Sequence, residues 1–322
     1  MKKFLHSIFD QFSSLEILDV RPFNHDISEL PGFPNIKICT KSEFKRLKSN
    51  GFNDPVGKAI MERIYRLDKL KLSKKPLVLM DQGKLLIAKT VWLHFQPNYE
   101  IYIYHGGINA LLREAQEFFK QKFNFIVLYG KTGSGKTEVL ENLEEKGAQA
   151  LNLERIARHK GSGFGNLRDN KQPSQEEFDL QITFSLARFD PKRPIFVEAE
   201  SFSLGKNLLP LNLMENVSSG KRIWLDPPKE IRVKRIVKEY FGVRDERIKE
   251  EIARLRNKLG HDKAEELITN LEKKAYALVA EGLIDYFDQG ESYQMEDNDR
   301  YAEIIGEVDP EKIAATLKTK YP

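Results

Sequence analysis

Residues 130–137 read Gly-Lys-Thr-Gly-Ser-Gly-Lys-Thr, and these residue types at this spacing make a cradle for phosphate. Gly130, Gly133 and Gly135 let the backbone turn its N–H groups inward to meet phosphate oxygens. Ser134 belongs to the same cradle, Lys136 is placed to reach the terminal phosphates, and Thr137 can offer its hydroxyl to Mg²⁺. Such a loop reads two or three phosphates and is indifferent to what carries them, so ATP, GTP and a diphosphate ester all satisfy it.

Other residues suit the same chemistry. The run Arg193-Pro-Ile-Phe-Val-Glu-Ala-Glu-Ser201 is an apolar strand that ends in acids. In a phosphate-loop sheet such a strand ends beside the loop, which makes Glu198 the first candidate for the metal or its water and Glu200 the second. The candidate catalytic set is therefore Lys136, Glu198 and Glu200, with Thr137 and Glu198 toward Mg²⁺. Arg155, Arg158 and His159 precede a Gly/Ser turn that holds Ser162. That combination can close over phosphates or touch an RNA backbone. Arg232 and Arg235 lie three apart on one predicted helix face, the spacing of lid arginines. The single cysteine, Cys39, excludes an internal disulfide framework and a multi-cysteine metal site.

The elements that must position these residues can be read around them. The loop follows an apolar run, Phe125–Tyr129, and precedes a helical one, Glu138–Lys146, which is the strand–loop–helix context it needs. Upstream, Ile17–Val20, Ile36–Cys39, Leu77–Met80 and Ile101–Tyr104 have the character of buried strands, with a helical pattern over Val56–Tyr65. This predicts an α/β domain over residues 1–115. A second domain over 116–322 carries strand candidates Phe125–Tyr129, Ala150–Leu153, Ile195–Val197 and Ile223–Leu225, spaced by helices as a parallel sheet requires. Lys229 to Leu283 is predicted helical throughout, a lid or subdomain, and the tail from Glu307 forms one last helix.

Composition agrees with two α/β domains. The chain has 322 residues, 40% of them hydrophobic and 31% charged, room for two cores. A net charge of +4 neither demands nor excludes a nucleic-acid partner, so local clusters carry that question. The N-terminus meets His6 and Asp10 before an apolar core can form, and no apolar run approaches a membrane span. A cytoplasmic protein with no membrane partner is expected.

Taken in order, several motifs resemble tRNA 2-selenouridine synthase, a rhodanese domain followed by a P-loop domain. They are Asp19-Val-Arg21, Leu30-Pro-Gly-Phe-Pro-Asn35, Gly106-Gly107, the phosphate loop, and His159-Lys-Gly-Ser-Gly-Phe-Gly165. Gln172-Pro-Ser-Gln175, Arg193–Ser201 with Gly205, and Glu239-Tyr240 complete the series. The resemblance implies a rhodanese-like α/β domain, then a P-loop NTPase-like parallel-sheet domain with a C-terminal helical subdomain. It also implies a substrate, 2-thiouridine at the wobble position of a tRNA. In that family the sulfur is alkylated by geranyl diphosphate, and the geranylthio group is then replaced by selenium from selenophosphate. Geranyl diphosphate would present its diphosphate to the loop, with Lys136 and Mg²⁺ on the departing charge.

One departure from the family pattern stands out. After Leu77-Val-Leu-Met80 the family has a cysteine, and this chain has Asp81-Gln-Gly-Lys-Leu-Leu-Ile87. A rhodanese needs a thiolate, which Met80 and Asp81 cannot supply. Geranyl transfer is therefore the expected activity. Selenium exchange would need a separate Cys-bearing rhodanese or a selenium-donor protein. Two other readings fit the loop. One is a small-molecule or nucleotide kinase that uses ATP, with Arg232 and Arg235 in its lid. The other is a non-catalytic tRNA-binding protein switched by a nucleotide.

Overall fold

The structure, a computed structural model, describes residues 3–5, 8–20, 38–70, 72, 75–80, 86–104, 106–160, 171–198, 202–242, 245–289 and 301–322. It divides into two compact units, Met1–Gln121 with Pro173–Asp190, and Lys122–Gln172 with Pro191–Pro322. The first division falls at 121/122 rather than 115/116, and a helix from the middle of the chain belongs to the first unit.

In the first unit β1 (Lys3–Leu5), β2 (Glu16–Asp19), β3 (Leu77–Met80) and β4 (Ile101–Tyr104) form an all-parallel sheet in the order β1-β4-β3-β2. All four β3 residues are buried, as a parallel strand covered on both faces requires. The helices are α1 (Lys41–Asn50), α2 (Pro55–Tyr65), α3 (Leu86–Phe95) and α4 (Gly107–Phe118). Thr40 and Glu43 form a capping box that starts α1, and Asp54 with Pro55 starts α2. The expected strand at Ile36–Cys39 is not borne out. Ile38, Cys39 and Thr40 carry no strand and lead directly into the α1 cap, while residues 36 and 37 lie outside the described residues. Ile38 and Cys39 instead pack with Phe44, Leu47, Ile60 and Ile64. One of the two sheet edges is β1, which sequence patterning did not single out.

A later helix, Gln175–Ala187, completes this unit. Ser174 caps it in a box with Glu177. Asp179, buried on it, accepts from Gln175 Nε2 and from Gln116 Nε2 of α4, each at 2.7 Å. Phe184 lies 5.8 Å from Phe9 and 5.3 Å from Phe12, ring centroid to ring centroid.

The second unit is built on a five-stranded parallel sheet, order β11-β10-β5-β7-β6. Its strands are β5 (Phe125–Tyr129), β6 (Gln149–Leu151), β7 (Ile195–Glu198), β10 (Lys221–Leu225) and β11 (Glu303–Ile305). Between them run α5 (Lys136–Glu145), α6 (Leu153–Ala157), α7 (the helix of the first unit), the antiparallel hairpin β8 (Ser203–Leu204)–β9 (Asn207–Leu208), and α8 (Leu211–Ser218). With β5 central, the chain passes first to one side and then to the other, so the crevice at its carboxyl end is a topological switch point. The predicted helical stretch resolves into α9 (Lys229–Tyr240), α10 (Asp245–Arg254), α11 (Arg256–Leu259), α12 (His261–Glu272) and α13 (Tyr276–Asp288). Ile236, Ile252, Leu267 and Leu283 belong to the core these helices share. The last helix, α14 (Pro310–Lys320), sets Ile313 and Leu317 in one core with Val139 and Leu143 of α5. Among the described residues no helix is long and apolar enough to cross a membrane.

Candidate phosphate and metal site

The phosphate loop leaves β5 at Tyr129 and enters α5 at Lys136. Gly133 and Gly135 sit at φ 78° and 90°, the left-handed region that glycine adopts without a Cβ penalty. A Cβ at Gly130 would fall 2.5 Å from Ser134 Oγ and 2.8 Å from the Leu225 carbonyl, so the loop admits only a bare backbone there. Ser134 Oγ is buried and has no hydrogen-bond partner among the described residues. A buried orphan hydroxyl inside a loop of inward N–H groups fits an oxyanion that completes it. Lys136 Nζ donates to the Gly130 carbonyl at 2.9 Å, folding the side chain back across the loop.

Strand register delivers the acids. Leu128 of β5 pairs with Glu198 of β7, and Leu151 of β6 pairs with Val197. Glu198 therefore ends its strand beside the loop and beside the start of α6. Asn152 caps α6 by accepting Arg155 N–H at 2.8 Å, and the neighbouring N–H in that first turn belongs to Glu154. It donates to Glu198 Oε1 at 3.1 Å. Thr137 Oγ1 lies 3.2 Å from Glu154 Oε2 and 3.3 Å from Glu198 Oε2. Two carboxylates thus share one hydroxyl. Burial raises the Glu198 carboxyl above its ordinary value and the Glu154 charge raises it further. The Glu154 N–H, Lys136 and Lys160 pull the other way. Lys160 Nζ lies 3.5 Å from Glu154 Oε2 and 3.0 Å from Glu239 Oε1 of α9.

Thr137, Glu198 and Glu154 offer hard oxygen donors of the kind Mg²⁺ takes together with phosphate oxygens and water. Among the described residues no group of three or more His, Cys, Asp or Glu side chains could hold a metal, so protein ligands alone would not close such a site. Glu154 escaped the sequence reading because it lies 17 residues from Thr137, on a short helix with no motif.

Arg232 and Arg235 do not project as lid residues. Arg232 is 5% exposed and donates to the Thr132 carbonyl at 3.1 Å and to both carboxylate oxygens of Asp288, at 3.0 and 2.6 Å. Lys131 Nζ is 3.6 Å from the same carboxylate. Arg235 donates to the Gly133 and Ser134 carbonyls at 3.3 and 2.7 Å and also to the Val308 carbonyl. Both guanidinium groups brace the loop from behind, because α9 packs where the loop's carbonyls point outward. Asp288 is the partner that the sequence reading missed.

The remaining candidates divide. Arg155 is paired with Glu144 at 2.7 Å on the surface. Arg158 is exposed, and His159 lies against Gly205, where a Cβ would meet its ring at 2.7 Å. Gln172 of the Gln-Pro-Ser-Gln motif donates to the Ala157 and Leu204 carbonyls and accepts Lys206 N–H, so it pins the β8–β9 hairpin to α6. Ser162, Glu200 and the segment 81–85 lie outside the described residues.

Comparison with known proteins gives a consistent answer. A family model described as the tRNA 2-selenouridine synthase AAA domain matches residues 123–321. The tRNA 2-selenouridine synthase of Nitrosomonas eutropha is 34% identical over 250 residues, covering 70% of this chain and 63% of that protein. That of Nitrosomonas europaea is 33% identical over 258 residues, with the same coverage, and that of Shewanella denitrificans is 27% identical over 213 residues, covering 63% and 56%. The matched region spans less than two-thirds of each of these relatives' own length. With its loop, acid pair and strand order inside the matched span, the chain belongs to the tRNA 2-selenouridine synthase family through its AAA-type domain.

Proposed function

We propose that the second unit binds geranyl diphosphate through its phosphate loop and alkylates the sulfur of 2-thiouridine at the wobble position of a tRNA. The observation that carries this reading is the buried, unpartnered Ser134 hydroxyl within a loop flanked by Lys136 and by the acid pair on Thr137. Family membership and the relatives' names support the RNA substrate.

In this reading the thiocarbonyl sulfur forms the new C–S bond and the geranyl C–O bond breaks. The electron pair leaves on the diphosphate, and the base loses its N3 proton to solvent. When bound, a divalent cation supplies Lewis acidity at the diphosphate. Lys136 leaves the Gly130 carbonyl to meet the developing negative charge, and the loop N–H groups hold the leaving oxygens. Glu198 and Glu154 orient the Thr137 hydroxyl and set the charge that draws the cation in.

Selenium exchange is assigned to a thiol outside this chain. Met80-Asp81 occupies the family's cysteine position, and Cys39 is 4% exposed with its thiol pushed up to about 12, mainly by burial. A reactive cysteine needs the opposite setting.

Mass spectrometry of nucleosides after incubating 2-thiouridine-containing tRNA with the chain and geranyl diphosphate, then separately with selenophosphate, tests the proposal. A geranylated 2-thiouridine with wild type, absent with Lys136→Ala, is the expected result. Unmodified tRNA together with steady consumption of ATP would instead support a kinase. Loss for Lys136→Ala is expected on the order of 2–4 kcal/mol of ligand binding.

A further inference from the structure

The surface beside the phosphate site carries a second, unassigned pattern. Arg158, Lys171 and Lys206 are all exposed, and none makes an ion pair with a described carboxylate. They come from three separate stretches of chain, and Gln172 holds those stretches together. Its Nε2 donates to the Ala157 carbonyl at 3.2 Å, one residue before Arg158, and to the Leu204 carbonyl at 2.8 Å. Its Oε1 accepts Lys206 N–H at 3.0 Å. Arg158 Nη1 in turn donates to the Lys171 carbonyl at 3.3 Å.

Two observations separate this cluster from an ordinary solvated face. Arg158 is held at φ 52°, and among the described residues only it and Lys274 are non-glycine positions with positive φ. That conformation is the left-handed C-cap of α6, with the Arg158 N–H donating to the Arg155 carbonyl, so it fixes the Arg158 backbone at the end of the helix that carries Glu154. On the same hairpin Phe202 is 49% exposed and Leu208 47%, although Leu209 N–H still ties to the Phe202 carbonyl at 3.1 Å. A half-exposed aromatic ring on the hairpin that Gln172 ties to the stretches carrying Arg158, Lys171 and Lys206 offers a stacking plane together with backbone contacts.

The position also suits a substrate. Arg158 caps the C-terminus of the short helix that carries Glu154, four residues on, and Phe202 follows Glu198 by four residues. Glu154 and Glu198, from which these positions are counted, both meet Thr137 Oγ1.

We propose that this face binds the single-stranded loop of an RNA. Arg158, Lys171 and Lys206 meet phosphodiesters, and Phe202 stacks on an unpaired base close to the phosphate site. Unpaired bases splayed onto aromatic rings, with cations along the backbone, are how proteins take RNA loops. The inference rests on the proposed reading that the substrate is RNA. The partner it names is a looped RNA rather than a protein or a membrane.

Fluorescence anisotropy of the full chain with a labelled RNA stem–loop, uridine at the first anticodon position, tests it across a salt series. Lys171→Gln/Lys206→Gln should weaken binding about tenfold, and the slope of log affinity against log salt should fall by about 1.5, as two lost phosphate contacts require. Phe202→Ser should weaken binding about tenfold with the slope unchanged, since stacking releases no counterions. Lys258→Gln/Lys273→Gln, an equal charge change on the helical cluster, should bind as wild type does. All four side chains in the two pairs are exposed, so melting points should hold. Equal losses for both lysine pairs would reduce the effect to net charge and overturn the proposal. So would displacement by polyglutamate as efficient as by unlabelled RNA. Wild-type binding with indifferent Lys171/Lys206 and Phe202 variants would remove the face alone. Failure of wild type to bind RNA at low salt would remove the functional reading beneath it.

Discussion

Glu198 accepts the backbone N–H of Glu154 at 3.1 Å while its second carboxylate oxygen shares the Thr137 hydroxyl with the Glu154 side chain. One residue therefore meets Glu198 twice, with its backbone attracting and its side chain repelling. The arrangement follows from register. Because β6 ends one position short of β7, the start of α6 lies across the end of Glu198's strand.

Glu198→Gln should keep the fold, because the amide oxygen can still accept the Glu154 N–H. It removes a charge from the position that suits a cation, so Mg²⁺ affinity should fall about 10- to 100-fold. Metal-free binding of a diphosphate ester should change far less. Glu154→Gln should produce a loss of the same kind. Calorimetric titration of Mg²⁺ and of diphosphate, done separately, checks both. A variant whose Mg²⁺ affinity is unchanged would remove its residue from the site.

Arg232 and Asp288 form a bidentate pair behind the loop, with side chains 6% and 18% exposed. Removing one partner of such a pair leaves the other uncompensated, at roughly 3–5 kcal/mol when burial is complete. Partial exposure of Asp288 lowers this to about 2–3 kcal/mol. Asp288→Asn should therefore lower the melting temperature and also weaken diphosphate binding, since the same guanidinium holds the Thr132 carbonyl. Arg232→Met should do both more strongly. A double-mutant cycle should give less than additive loss, and additive losses would mean that the two side chains do not act together.

The strand–loop–helix around residues 130–137 was readable because the glycines that turn the loop are contiguous with the apolar run before it and the helical run after it. The buried strands were readable because parallel strands covered on both faces become apolar runs, as in Leu77–Met80 and Phe125–Tyr129. Glu154 was not readable, since an acid on a five-residue helix has no periodicity and its proximity to Thr137 depends on β6–β7 register. Arg232 and Arg235 were misjudged for a related reason. Three-residue spacing says that they share a helix face, but only packing says whether that face meets solvent or the loop's carbonyls. The Gln-Pro-Ser-Gln motif proved to be architectural, with Gln172 pinning a hairpin and Ser174 capping the helix that joins the first unit. Ile36–Cys39 has strand composition, yet the capping box at Thr40 and Glu43 captures its end for a helix start.

Asp179 supplies a pH dependence to the first unit. Burial raises its carboxyl from 3.8 to about 6, although Gln175 and Gln116 both donate to it. An acid whose folded value lies above its unfolded one holds its proton more tightly when folded, so its stabilising effect grows as pH falls from 7 through 6 toward 4. At pH 7 the ionised form costs on the order of 2–3 kcal/mol relative to that limit. Asp179→Asn should flatten this trend. Urea melts at pH 5 and pH 7, read by Trp92 in a Trp224→Phe background, test it because the chain has two tryptophans and Trp92 lies in the first unit. Parallel pH dependence in wild type and variant would overturn the assignment.

Cys39 should behave as a core residue. Its thiol is 4% exposed among Ile38, Phe44 and Ile60. Burial raises its pKa to about 12, with the Glu43 charge adding to the rise and Arg63 opposing it. At pH 8 almost no thiolate forms, and the nucleophile in sulfur chemistry is the thiolate. Iodoacetamide should therefore leave native protein unmodified and label it rapidly in urea. Cys39→Ser puts a hydroxyl into an apolar site and should cost about 1–3 kcal/mol while leaving geranyl transfer intact. If labelled selenium is instead recovered on Cys39, or native protein alkylates quickly at neutral pH, the thiol must reach solvent through an opening of the first unit. The need for an external thiol would then disappear, because this chain would carry its own selenium acceptor.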